Sequence, residues 1–183
     1  MAAFGLLVSG GDEKETFWFF EAILEKSHEQ IPFDGMKGFY ELEFPLLMQY
    51  LNTFKDLFAE WIPDLFEHFD NEGLPDQMWI QKWFMTCFLY SFPFGLCIRF
   101  WDNILAFGTR FIFNISLSLL SLLKDQLIEL EFSLINDFFK SLKDDTHLEN
   151  PLLPPYELII EEAQKIYIGD DKINRLFVKH SRP

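Results

Sequence analysis

Two stretches of this chain, Met78–Tyr90 and Phe111–Leu123, are apolar on nearly every face that a helix could present. A helix without a polar side has to be surrounded by other helices. Strand-type alternation is absent over any useful length. The fold class that follows is all-α, a multi-helix array. A chain of 183 residues can remove roughly 70% of its unfolded surface from water, enough for a core without disulfides or metal. The longest uncharged run, Trp83–Ile98, has 16 residues and contains Pro93, short of the ~20 apolar residues of a bilayer helix. Phe111–Leu123 is shorter and carries Asn114, Ser116, Ser118 and Ser121. No transmembrane span is expected, and the apolar opening Met1–Val8 lacks the basic flank of a signal peptide.

Helical periods fill the remaining chain. Phe54, Leu57, Phe58, Trp61, Ile62, Leu65, Phe66 and Phe69 follow i, i+3, i+4, i+7 spacing. Pro63 inside that pattern predicts a kink, or two helices meeting with Pro63 in the first turn of the second. Leu127, Ile128, Leu134, Ile135, Phe138, Phe139 and Leu142 form a second stripe. Tyr156, Ile159, Ile160, Ala163, Ile166 and Tyr167 form a third, ended by Gly169-Asp170-Asp171. Asp12 with Glu15 reads as an N-cap before Phe17–Leu24. His28–Tyr40 reads as a loop, Asp70–Pro75 as a stop and restart, and Asp144–Pro155 as the one boundary. Residues 1–143 are thereby read as one helical domain and 144–183 as a Pro-containing linker with a helical extension.

The charge is 15 − 29 = −14, and the first 76 residues hold 16 of the 29 acids. Such a balance disfavours a phosphate-tracking nucleic-acid binder and an electrostatic anchor on anionic lipid. Cys87 and Cys97, the only cysteines, stand in apolar surroundings and read as buried free thiols. The 23 phenylalanines imply a large core, or an apolar face that self-associates or takes a partner.

Catalytic, cofactor and metal motifs do not emerge. His28, His68, His147 and His180 are scattered without metal-ligand spacing. Ser9-Gly10-Gly11-Asp12-Glu13-Lys14 lacks the first glycine and the Gly-Lys-Ser/Thr ending of a phosphate loop. Asp70 and Glu72 are too few for a calcium loop. Asn114-Ile115-Ser116 matches a glycosylation sequon, but inside a helix read as buried. One block does stand out: Trp83-Phe84, then Pro93, then Arg99-Phe100-Trp101-Asp102, then Gly108. It reads as helix, Pro turn, helix and glycine stop, with Arg99 and Asp102 placed to pair across one turn. All of these residues are expected to be structural.

This block resembles the C-terminal half of the TBC family, helical domains that act as GTPase-activating proteins for Rab GTPases. Upstream, Asp12-Glu13-Lys14-Glu15-Thr16-Phe17-Trp18 is similar to the family's acidic Phe-Trp helix start. Ile62-Pro63-Asp64-Leu65-Phe66-Glu67-His68-Phe69 is similar to its Pro-x-Leu-x-x-His-Leu segment. The resemblance runs from near residue 1 to about Lys143 and implies a partial all-α TBC domain. It also implies a Rab-type small GTPase as partner, a role in vesicle trafficking, and a cytoplasmic site peripheral to membranes through that partner. The family's catalytic arginine lies in Ile-x-x-Asp-x-x-Arg and its glutamine in Tyr-x-Gln, and neither motif occurs in this sequence. The opening Met1-Ala2-Ala3-Phe4 falls just after the glutamine element, so a truncated domain, catalytically silent alone, is expected. Helices packing on such a missing part would leave Ala2–Leu7 and Phe17–Phe20 facing water. The alternatives are a non-catalytic helical interaction module and, from the phenylalanine content and the two apolar helices only, a membrane-associated helical protein.

Overall fold

The computed structural model describes residues 1–25, 35–143 and 150–181. Among them are ten α-helices, two single 3-10 turns and no strand; the protein is all-α. The helices are α1 (Ala2–Val8), α2 (Glu13–Leu24), α3 (Pro45–Trp61), α4 (Pro63–Asn71) and α5 (Ile80–Met85). Then come α6 (Phe94–Phe107), α7 (Phe111–Leu127), α8 (Phe132–Ser141), α9 (Tyr156–Lys165) and α10 (Asp170–His180). No described helix is long and apolar enough to cross a membrane.

Local chemistry sets the boundaries. The Asp12 carboxylate accepts the Glu15 backbone N–H at 2.9 Å, and Glu13 and Glu15 lie in the first turn of α2, where they complement the helix dipole. Pro63 opens α4 directly after Ile62 ends α3, a position where its missing N–H is not needed. At the far end Gly73 takes φ +65° and the Leu74 N–H reaches back to the Phe69 carbonyl at 3.0 Å, the hydrogen bond of a Schellman stop.

Three readings are corrected. Met78–Tyr90 is not one buried helix: α5 ends at Met85, and Cys87 and Phe88 take φ of +45° and +68°, which no helix continues through. The stripe from Leu127 to Leu142 is split between α7 and α8 by a break at Ile128–Glu131, and Leu134 within it is exposed. Gly169-Asp170-Asp171 does not end α9, which stops at Lys165; Gly169 caps α10, with both aspartates in its first turn. Most of the segment read as the loop His28–Tyr40 lies outside the described residues. So does 144–149 of the Asp144–Pro155 boundary.

The core is centred on α3 and α7. Leu47, Tyr50, Phe54 and Leu57 of α3, and Ile112, Phe113, Leu119, Leu120 and Leu123 of α7, are almost wholly inaccessible. Phe113 stacks on Tyr50, ring centroids 4.9 Å apart. The polar residues within α7's apolar run have a job that their sequence neighbours do not disclose. Asn114 donates to the carbonyls of Ala163 and Ile166, and Ser118 to that of Ile159. Asn114 thereby serves carbonyls at the C-terminal end of α9, where intrahelical partners run out, and Ser118 adds a bond to a carbonyl inside that helix. The sequon asparagine is thus engaged in helix packing. Helix α10 lies on α3, where Asp56 meets both Lys179 (2.6 Å) and His180 (2.9 Å). Burial raises the Asp56 carboxyl, but the hydrogen bonds from Lys179 and His180 outweigh it and hold it below the usual carboxylate range.

Candidate functional site

The block from Trp83 to Gly108 folds into the junction between the N-terminal helices and the rest of the array. Trp83 and Phe84 are buried in α5. The left-handed turn at Cys87-Phe88 then swings the chain, and buried Pro93 caps the start of α6. Trp101, 2% exposed, donates its indole N–H to the Cys87 carbonyl at 3.1 Å. Its ring lies 5.1 Å from Phe4 of α1 and 6.0 Å from Phe19 of α2. One side chain therefore ties α6, the strained turn, α1 and α2 together. Gly108 ends α6 at φ +92°, in the left-handed half of the map that glycine alone enters without steric cost. Both cysteines are buried thiols outside any disulfide, and burial pushes the Cys87 thiol up to about 12.

The expected Arg99–Asp102 pair does not form. Arg99 turns toward α9: Nε and Nη2 donate to Glu157 at 3.1 and 2.8 Å, Nη1 donates to the Gly95 carbonyl, and the guanidinium lies over the Tyr156 ring at 5.6 Å. The Glu157 carboxyl is held below its ordinary range, first by its own backbone amide and then by Arg99. The i, i+3 spacing permitted a pair, but the packing of α9 beside α6 brings one Glu157 oxygen to two guanidinium nitrogens, and Asp102 stands exposed. Asp102→Ala is accordingly expected to leave stability within about 0.5 kcal/mol of the parent, checked by urea denaturation; a loss of several kcal/mol would restore the pair.

The other arginine of this region, Arg110, meets Asp170 at 3.3 Å and lies 5.2 Å from the centre of the Phe177 ring. His68 bonds the Leu130 carbonyl and His180 bonds Asp56, while His28 and His147 lie outside the described residues. The described residues contain no group of three metal-ligating side chains.

What the junction presents outward is apolar. Helices α1 and α2 pack closely: a Cβ on Gly5 would stand 3.0 Å from the Thr16 methyl. The Ser9 and Thr16 hydroxyls bond at 3.0 Å across the turn. The opposite side of this hairpin carries Leu6, Leu7 (67% exposed), Val8, Phe17 (61%) and Trp18 (57%). Phe94 of α6, 43% exposed, touches Phe4 at their edge. Phe4, by contrast, is buried, and Phe19 and Phe20 are half-buried. Asp12, Glu13 and Glu15, at the start of α2, are exposed. A face of this composition is suited to a protein surface and has no chemistry of its own.

Comparison with known proteins agrees with the motifs. The profile of the Rab-GTPase-TBC domain matches residues 1–128. TBC1 domain family member 14 of Bos taurus is 28% identical over 144 residues, covering 79% of this chain and 20% of the relative. TBC1 domain family member 12 of Xenopus tropicalis is 27% identical over 140 residues, 76% of this chain and 19% of the relative. That of Rattus norvegicus is 30% identical over 108 residues, 59% and 16%. The chain thus spans about a fifth of the length of the relatives it matches.

Proposed function

As the chain belongs to the Rab-GTPase-TBC domain family, we propose that it is a Rab-binding helical scaffold that does not by itself accelerate GTP hydrolysis. The family match over residues 1–128 carries the choice of partner. Catalytic silence rests on the sequence, which contains neither Ile-x-x-Asp-x-x-Arg nor Tyr-x-Gln. It is favoured by the engagement of Arg99 with Glu157 and of Arg110 with Asp170, which occupies both arginines of the family-like region. In this reading residues 1–143 are the partial Rab-GAP-like domain and 144–183 brace it through α9 and α10. The setting is the cytoplasmic face of a membrane marked by the Rab. The direct test is capture of GTP-loaded against GDP-loaded Rabs on the immobilised chain. GTP-dependent capture is expected; equal capture of both forms, or of neither, favours the alternative of a helical interaction module with another partner.

The exposed face of α1 and α2 leads to a second expectation. Two packed helices that leave Leu7, Phe17 and Trp18 mostly in water are stabilised by covering them. Without a partner the chain is expected to self-associate at tens of micromolar. Light scattering should show a mass above the monomer that Leu7→Glu with Phe17→Glu returns to monomer. A monomeric parent that binds no apolar dye speaks against this use of the face.

A further inference from the structure

The structure holds a second feature, remote from the α1–α2 face in sequence and opposite to it in charge. A pocket of about 210 Å³ opens between the α5 region and α8. Lys82 stands on one side of it and Lys140 and Lys143 on the other, and none of its described lining residues is acidic. That is unexpected in a chain with 29 acids and 15 bases. Several lysines elsewhere are matched, Lys37 with Glu25, Lys124 with Asp64, Lys165 with Glu162 and Lys172 with Glu60, while Lys55 lies over the Phe66 ring. Here Lys140 meets Asp137 at 2.9 Å, but Lys82 and Lys143 have no carboxylate partner among the described residues. Lys143 lies over the Tyr90 ring at 4.4 Å instead.

The pocket's inner wall adds neutral donors. Trp79, stacked on Phe139 at 5.2 Å and 3% exposed, lines it, and its buried indole N–H has no partner among the described residues. Ser91, 8% exposed, lines it too. A buried N–H left unbonded costs about 1–3 kcal/mol, which a ligand oxygen can recover. Cations on both sides of a pocket whose lining also includes Trp79 and Ser91 suit an anion with charge at two points. The volume is below the ~300 Å³ at which pockets begin to take drug-sized ligands, so the ligand is compact. The chain's overall negative charge does not forbid this, because at physiological salt a charge is screened beyond about 8 Å.

We propose that this pocket binds a compact polyol carrying two or more phosphate groups, with Lys82 and Lys143 as its principal cationic contacts. The same chemistry is available from a free phosphate ester and from a phosphorylated lipid headgroup, and the experiment separates them. Inositol 1,4,5-trisphosphate is titrated into the whole chain, with the indole N–H resonances followed by NMR. Phosphatidylcholine vesicles with and without phosphatidylinositol 4,5-bisphosphate are tested in parallel by co-sedimentation. The Trp79 signal is expected to shift saturably. Lys82→Ala and Lys143→Ala are each expected to weaken binding ~3–5-fold, as for exposed charge contacts, while Lys165→Ala has no effect. All three lysines are exposed, so these variants keep the fold. Binding of both probes identifies a lipid headgroup, and binding of the soluble probe alone a free ester. No saturable binding of either probe, binding that survives loss of both Lys82 and Lys143, or an equal loss with Lys165→Ala overturns the proposal.

Discussion

Trp101→Ala is expected to cost the fold ~3–5 kcal/mol, the range for removing a buried aromatic side chain. Three losses combine. The ring is 2% exposed, so its deletion opens a cavity between α6 and the N-terminal hairpin. The Cys87 carbonyl loses the indole N–H at 3.1 Å and is left in a buried turn. That turn already holds Cys87 and Phe88 at positive φ, a conformation that costs of order 1–3 kcal/mol each and persists only while the surroundings enforce it. A domain of this size is stable by only about 5–15 kcal/mol, so one substitution removes a large share. Trp101→Phe separates the contributions: it keeps most of the ring but not the donor, and is expected to lose about 1–3 kcal/mol. Urea denaturation followed by far-UV circular dichroism reads both, independently of the indole. A Trp101→Ala midpoint equal to the parent's would place the ring outside the core, and an Ala variant no worse than Phe would remove the cavity from the account.

The residues that made this hub legible are those whose burial is a matter of local pattern. Trp83 and Phe84 fall in a run without a polar side, Trp101 in the Arg99-Phe100-Trp101-Asp102 tetrad, and Pro63, Gly73, Pro93 and Gly108 punctuate the chain where their backbone restrictions require. The Asp12–Trp18 segment, the Ile62–Phe69 segment and the Trp83–Gly108 block, in that order, carry the resemblance to the family. What escaped was long-range pairing. Arg99 has an acid three residues away and another 58 residues away, and only the packing of α9 beside α6 decides for the second. Asn114 and Ser118 look like interruptions of an apolar helix, because the α9 carbonyls they serve are 41–52 residues distant. The positive-φ turn at Cys87-Phe88 lies on residues with no turn signature, held there by the Trp101 indole. The lysine pocket escaped for the same reason. Its cations come from segments some 60 residues apart, and the net charge of the chain points the other way.

In a single-turnover assay this 183-residue chain, taken alone, is expected to leave the GTP hydrolysis rate of any Rab near its intrinsic value. Hydrolysis is slow because negative charge gathering on the transferred phosphoryl oxygens, and the attacking water, are incompletely stabilised. An arginine supplied by an activator contributes ~10³–10⁵ in rate, which is ~4–7 kcal/mol of barrier, and a glutamine orients the water. The chain contains neither motif that presents these groups. Docking alone does not substitute for them, since an interaction equally strong in ground and transition states leaves the chemical step unchanged. The measurement is phosphate release from a panel of GTP-loaded Rabs at saturating chain, with a complete TBC domain as positive control. Acceleration of 100-fold or more, ~2.7 kcal/mol of transition-state stabilisation, would sink the expectation and require a replacement finger. Arg99 and Arg110 are then the first residues to substitute, and each would have to leave its carboxylate, Glu157 or Asp170, to reach a phosphate. That requirement supplies its own control. Glu157→Gln and Asp170→Asn weaken the hold on each arginine without removing it, so a genuine arginine finger gains rate in these variants while a silent chain stays silent in both.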